Sequence, residues 1–208
     1  SIPDIARNLE RFADIILARV YSHSTIRTIA DIIKKPVINL LCDQHHPTQA
    51  LADLMAIMWH KKECEGLNVV FIGDGNNVAV SLMQICALTG MNFTIASPVN
   101  YEIPLQERIN TNFKFINDPV EAVKNADIIY TDTFVSMGQE EEKEQRLRDF
   151  KNYQVNMELL KKAKPDTLFM HCLPAHRGEE VTDEVMDCNQ SIIFDQAECR
   201  LHIAKSLL

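Results

Sequence analysis

Hydrophobic positions along the chain recur with two periods. Short apolar runs bounded by polar residues, Gly or Pro fall at 14–20, 37–41, 68–72, 92–96, 114–116, 127–131, 167–170 and 191–194, and these read as strands, most of them buried on both faces. Between them the helical period predicts helices over 26–34, 47–61, 77–89, 120–125, 156–162 and 196–208. Such alternation predicts an α/β fold, a parallel sheet covered by helices on both faces. The opening residues carry a further amphipathic pattern (Ile5, Leu9, Phe12, Ala13, Ile16) that reads as the middle of a domain, so part of the fold is expected upstream. A joint is expected behind the 47–61 helix, in Lys61-Lys62-Glu63-Cys64-Glu65-Gly66. The stretch after it holds enough strands for a sheet of its own. The stretch before it holds two, too few to close a core.

Composition narrows the class. At 208 residues, 46% apolar and 24% charged, the chain is globular rather than disordered. Its net charge of −8 opposes phosphate backbones and anionic lipid head groups, so neither nucleic acid nor a membrane surface is an expected partner. No apolar run approaches the ~20 residues of a bilayer span. The six cysteines are scattered without a C-x-x-C pair and without a secretory segment before them, which fits reduced thiols in a cytosol.

Four strand-end turns carry candidate chemistry. The first, Asp43 to Gln49, opens a helix with Pro47 in its first turn; His46 and Gln49, three apart, can both project from a helix start whose free N–H groups favour an anion, and plain capping is the alternative. In the second, Gly73-Asp74-Gly75-Asn76-Asn77, a dinucleotide fingerprint lacks its third glycine and the acidic end of the next strand, which disfavours a nicotinamide cofactor and leaves ligand binding or a tight turn. The third, Thr131 to Gly138, sets Asp132 at a strand end beside a Ser136-Met137-Gly138 turn where a cationic substrate could be held by a loop able to move. The charged run 139–148 behind it, with Glu142–Arg146 and Glu144–Arg148 pairs at i,i+4, reads as a solvated helix face. In the fourth, His171-Cys172-Leu173-Pro174-Ala175-His176-Arg177, two histidines and an arginine near Cys172 suggest a thiol of depressed pKa; the spacing matches no four-ligand zinc pattern, and no metal is expected.

Taken in order, His46-Pro47-Thr48-Gln49-Ala50-Leu51-Ala52-Asp53, Asp132 with Ser136-Met137-Gly138, and His171-Cys172-Leu173-Pro174 resemble the ornithine carbamoyltransferase family over essentially the whole chain, from Arg19 onwards. The resemblance implies transfer of the carbamoyl group of carbamoyl phosphate to the δ-amine of L-ornithine, with citrulline and phosphate as products and no cofactor. It implies a parallel-sheet, Rossmann-like ornithine domain plus an incomplete α/β carbamoyl-phosphate domain. Residues 1–58 would be the remaining part of the latter with its connecting helix, 59–194 the ornithine domain, and 195–208 a helix returning toward the first. By the same resemblance Arg19, His46, Gln49 and Arg200 would hold carbamoyl phosphate, with Arg19 and His46 polarising its carbonyl oxygen. Asn77, Asp132, Ser136 and Met137 would bind ornithine. Cys172 and the Leu173 carbonyl would face the carbamoyl nitrogen and the attacking amine, with Cys172 as proton acceptor, and Leu173–Pro174 would be a cis peptide. A homotrimer or a multiple of trimers and a cytoplasmic location are implied as well.

The family's phosphate-binding Ser-x-Arg-Thr-Arg segment has no counterpart here, since Ser24-Thr25-Ile26-Arg27-Thr28 matches its composition but sits wrongly relative to Arg19. About a third of a family chain is therefore expected to lie outside this sequence, and the 208-residue chain alone is expected to bind carbamoyl phosphate weakly and turn over little. Carbamoyltransferases of aspartate, putrescine or acylated ornithine are the nearest rivals, and the Ser136-Met137-Gly138 loop favours free ornithine. A nucleotide-linked oxidoreductase and a non-catalytic fragment are the readings from other classes.

Overall fold

A computed structural model describes residues 1–109, 112–136 and 138–208. Among these, seven strands form two sheets that are parallel throughout. The chain runs α1 (Ile2–Leu9), β1 (Ile16–Arg19), α2 (His23–Ile32), β2 (Val37–Leu41), α3 (Pro47–Lys61), β3 (Asn68–Ile72), α4 (Asn77–Leu88), β4 (Asn92–Ala96), β5 (Phe113–Ile116), α5 (Pro119–Ala122), β6 (Ile128–Thr131), α6 (Lys143–Asp149), α7 (Met157–Leu160), β7 (Leu168–His171), α8 (Asp183–Met186) and α9 (Ile193–Ser206). The predicted α/β class and parallel sheet are observed.

The larger sheet has the order β5-β4-β3-β6-β7, with β3 central, Val69 opposite both Phe93 and Ile128, and Ile128 opposite Leu168. The chain adds β4 and β5 on one side of β3 and β6 and β7 on the other, so the strand order reverses between β3 and β6, the switch point at which open sheets of this kind leave a crevice at their carboxyl ends. Alternation along β3 divides the core in two. Val69 and Phe71 pack with Tyr130, Leu82 and Ile57 under α3, α4 and α9, whereas Val70 and Ile72 pack with Ile129, Phe169 and Phe150 on the opposite face. The smaller sheet pairs β1 with β2, and Ala6, Ile16, Ile29 and Ile33 form its core with α1 and α2.

Three departures from the sequence reading have local causes. The apolar run at 191–194 is no strand: apart from one bridge from Ser191 to Phe169, its residues open α9, because Ile193, Gln196 and Cys199 recur at helical spacing on the buried face. Residues 2–9 form a helix capped by the Ser1 hydroxyl with Pro3 in its first turn, so the amphipathic start is α1. The 139–148 run is helical but not merely solvated, since Arg146 is buried.

Candidate active site

An open cleft of about 1670 Å³ lies at the carboxyl ends of the strands, walled by the turns that follow β1, β2, β3, β4, β6 and β7. Of the residues singled out in the sequence, Arg19, His46, Gln49 and Asn77 line it from one side of the chain, and Asp132, Ser136, Cys172 and Leu173 from the other. The four turns therefore converge. Arg200 is not part of the wall. Its guanidinium donates to Thr48 Oγ1 at 2.7 Å in the first turn of α3, and its charge reaches His46. Met137 falls outside the described residues.

The carboxylate of Asp132 is the hub of the β6 side. Oδ1 accepts from the Thr133 amide at 2.8 Å and from the Cys172 thiol at 3.1 Å, and Oδ2 accepts from Asn76 Nδ2 at 2.8 Å. Burial first, then the Asp132 charge, holds the Cys172 thiol well above its ordinary pKa, so it is protonated at neutral pH. This corrects the expected depressed pKa. The cations meant to supply it turn elsewhere: His171 Nε2 meets Glu180 Oε1 at 3.1 Å, and Arg177 pairs with Asp183 and Asp187 at 2.9 and 2.8 Å.

His171 and Glu180, both fully buried, shape the turn that presents Cys172. The Leu173 amide donates to His171 Nδ1 at 2.9 Å, which leaves the imidazole proton on Nε2 for Glu180, and Glu180 Oε1 also accepts from the His176 amide at 2.6 Å. These bonds hold Leu173 at φ +58°, a left-handed conformation costly for a branched side chain, ahead of a Leu173–Pro174 peptide that is cis, as expected. Gly75 is required on the opposite wall because a Cβ there would collide with the backbone of Glu102 and Ile103.

On the β1–β2 side the environment of His46 is apolar and cationic. Burial, then the guanidinium charges of Arg200 and Arg19, lowers its imidazole to about 4, so it is neutral at physiological pH. Its amide donates to Ser81 Oγ at 2.7 Å, fixing the start of α3 against α4. Gln49 lines the cleft with its amide nitrogen donating to Asp53 Oδ1 at 2.8 Å. Asp53 is fully buried, shares that oxygen with Gln196 Nε2 at 2.7 Å, and accepts from the Tyr130 hydroxyl at 3.1 Å; burial raises its carboxyl to about 7 against these bonds. Asn77 spends its carboxamide nitrogen on the Cys42 carbonyl at 2.7 Å, tying the end of β2 to the start of α4.

Several partners escaped the sequence reading. Arg146 reaches back 72 residues to Asp74 Oδ2 at 2.8 Å, donates to the Phe134 carbonyl at 3.1 Å and lies over the Tyr101 ring, which anchors the loop after β6. Asn76 sits in a quoted motif, and its N-cap position was the available signal. For Glu180, nine residues beyond His171, there was none.

Comparison with known proteins decides what this geometry serves. The family description "Aspartate/ornithine carbamoyltransferase, Asp/Orn binding domain" matches residues 65–208, and "Aspartate/ornithine carbamoyltransferase, carbamoyl-P binding domain" matches residues 1–58. The chain belongs to the aspartate/ornithine carbamoyltransferase family. The ornithine carbamoyltransferase of Thermococcus kodakarensis is 50% identical over 217 residues, covering 100% of this chain and 69% of that protein. Solved ornithine carbamoyltransferases from Pyrococcus furiosus (TM-score 0.94, 49% identity, 100% of this chain and 69% of that one) and Thermus thermophilus (TM-score 0.93, 45% identity, 100% and 70%) share its fold. The protein is a carbamoyltransferase. No helix among the described residues is long and apolar enough to cross a membrane.

Proposed function

We propose a division of the cleft by charge. Carbamoyl phosphate sits among Arg19, His46, Gln49 and Arg200, and ornithine binds across Asn77, Asp132, Ser136 and Met137, with Cys172 and the Leu173 carbonyl between the two. The observation that carries this reading is the Cys172–Asp132 contact of 3.1 Å on the same cleft wall as the strand ends facing Arg19 and His46.

The reacting δ-amine is an ammonium at neutral pH and must lose a proton before it attacks. Because the Cys172 thiol already carries its proton, the acceptor is the Asp132 carboxylate, with the thiol positioning it. The N–H bond breaks as the Asp132 O–H bond forms; the freed lone pair then bonds to the carbamoyl carbon, the C–O bond to phosphate breaks, and the second proton of the attacking nitrogen passes to the departing phosphate. Negative charge growing on the carbamoyl oxygen meets the Arg19 guanidinium and the His46 imidazole. Gln49, bound to Asp53, orients the first turn of α3 beneath them.

Residues 1–58, 59–194 and 195–208 are read as the carbamoyl-phosphate part with its connecting helix, the ornithine domain and a returning helix; the family match over residues 1–58 supports the first of these boundaries. A homotrimer or a multiple of trimers in the cytoplasm completes the reading by the family resemblance.

NMR titrations test the charge division. Asp132→Asn is expected to weaken L-ornithine at least about tenfold, the worth of one charge-assisted bond, and to leave carbamoyl phosphate within about twofold, with Arg19→Ala doing the reverse. Equal losses for both substrates in both variants, or no loss in either, would overturn the assignment.

A further inference from the structure

A second cluster of reactive side chains lies at the rim of the cleft, outside the substrate assignments. His23 opens α2, Cys42 follows β2 and His45 immediately precedes His46; one ligand atom from each lies within 4.8 Å of the others. Cys42 is buried and the two histidines are half-buried. His23 Nδ1 stands 3.4 Å from Cys42 Sγ. Tetrahedral zinc, with Zn–S near 2.3 Å and Zn–N near 2.0 Å, sets its sulfur and nitrogen ligands about 3.5 Å apart, so this pair already has a metal-ligand spacing.

The surroundings are those of a supported site. Asn39 Nδ2 donates to Cys42 Sγ at 3.2 Å, a bond that steadies a thiolate as well as a thiol. His45 Nε2 lies 3.3 Å from Gln84 Nε2 and 3.6 Å from Glu107 Oε2, polar neighbours of the kind that orient a ligating imidazole. Two other groups of possible ligands among the described residues differ. In Asp132–His171–Cys172 both imidazole nitrogens are spent on Leu173 and Glu180, and in His176–Glu179–Glu180 the carboxylate Oε1 is spent on the His176 amide and on His171.

We infer that His23, Cys42 and His45 form a binding site for a borderline-soft divalent cation, Zn²⁺ by ligand type, with a fourth position left to water. On binding, the Cys42 S–H bond gives its proton to solvent as the metal–sulfur bond forms. The ion would clamp the start of α2 to the turn between β2 and α3, one residue from His46 and beside the Cys42 carbonyl that Asn77 holds.

Co²⁺ titration of the metal-free chain reads the site directly. One equivalent is expected to give a saturable thiolate-to-cobalt charge-transfer absorption that Zn²⁺ displaces, that is lost in Cys42→Ser, and that is retained in Cys172→Ser. His23→Gln and His45→Gln should weaken it at least about tenfold, and Zn²⁺ should raise the melting temperature of wild type but not of His23→Gln, which keeps the test open should Cys42→Ser fold poorly. An absorption that survives Cys42→Ser or disappears in Cys172→Ser would overturn the inference. So would no saturable binding by a chain with an intact melting transition, which would leave the three side chains as a hydrogen-bonded cluster only.

Discussion

His46 and Asp53 occupy the first two turns of one helix and are pushed in opposite directions by the same burial. The consequences for stability also oppose. For His46 the folded pKa, about 4, lies below the unfolded 6.5, so the unfolded state binds more protons between these values and stability falls as pH drops through that window. For Asp53 the folded pKa, about 7, lies above the unfolded 3.8, so the folded state binds more protons there and stability rises as pH drops from 7 toward 4. Each single variant should expose the other's slope. With His46→Gln the acid-side loss of about 3 kcal/mol expected of that imidazole disappears, and the chain gains on wild type in urea unfolding at pH 4.5 relative to pH 7. Asp53→Asn should shift the comparison the other way, and a His46→Gln curve parallel to wild type would show that the imidazole is not depressed. The chemistry of His46 was legible in sequence, since a histidine before Pro47 at a strand-to-helix turn marks a helix start. Its neutrality was not, because that depends on Arg200, far along the chain, coming close.

At the scale of elements, α6 is held by one buried arginine. The Arg146 side chain is 8% exposed and Asp74 12%, whereas Glu142, its i,i+4 partner, is 63% exposed. Removing a buried partner leaves an uncompensated charge, so Arg146→Ala should cost about 3 kcal/mol, while Glu142→Ala should cost under about 1. Urea unfolding of both variants checks the difference, and equal losses would mean that the Asp74 contact adds nothing. This helix also shows how far pattern carries. The 37–41, 68–72 and 92–96 strands and the 47–61 helix have their predicted bounds because continuous apolar runs between polar breaks, and Pro47 at a helix start, specify structure locally. The Glu142–Arg146 and Glu144–Arg148 pairs form at 3.0 and 3.8 Å as their spacing required. What failed was non-local. Ile192, Ile193 and Phe194 are as apolar as any strand, and the fit of α9 along α3 makes them helical or helix-leading; Arg146 resembles its solvated neighbours until β3 supplies Asp74.

Across the whole molecule, the parallel order of both sheets is what turns scattered motifs into one site. Every strand-end turn faces the same way, so residues from Arg19 to Leu173 reach a common cleft without any long-range motif to announce it. The two halves of that cleft are unequally equipped. The half proposed for ornithine brings a carboxylate with three donors, a thiol and a turn locked by buried His171 and Glu180. The half proposed for carbamoyl phosphate would bring Arg19, an Arg200 already donating to Thr48, and an uncharged His46 to a dianionic substrate. Phosphate is held mainly by charge-assisted bonds and helix-start amides, and the Ser-x-Arg-Thr-Arg segment that would add both is not in this sequence. We therefore expect the 208-residue chain to bind L-ornithine more tightly than carbamoyl phosphate, to lose its carbamoyl-phosphate affinity steeply with added salt, and to form citrulline far below the ~1 per second at which enzyme turnover ordinarily begins. A citrulline assay on the chain alone, run beside a salt series of the carbamoyl-phosphate titration, measures both. Turnover at or above that rate would show that Arg19, His46 and Arg200 suffice for the anion, and the charge argument made for this half of the cleft would fail.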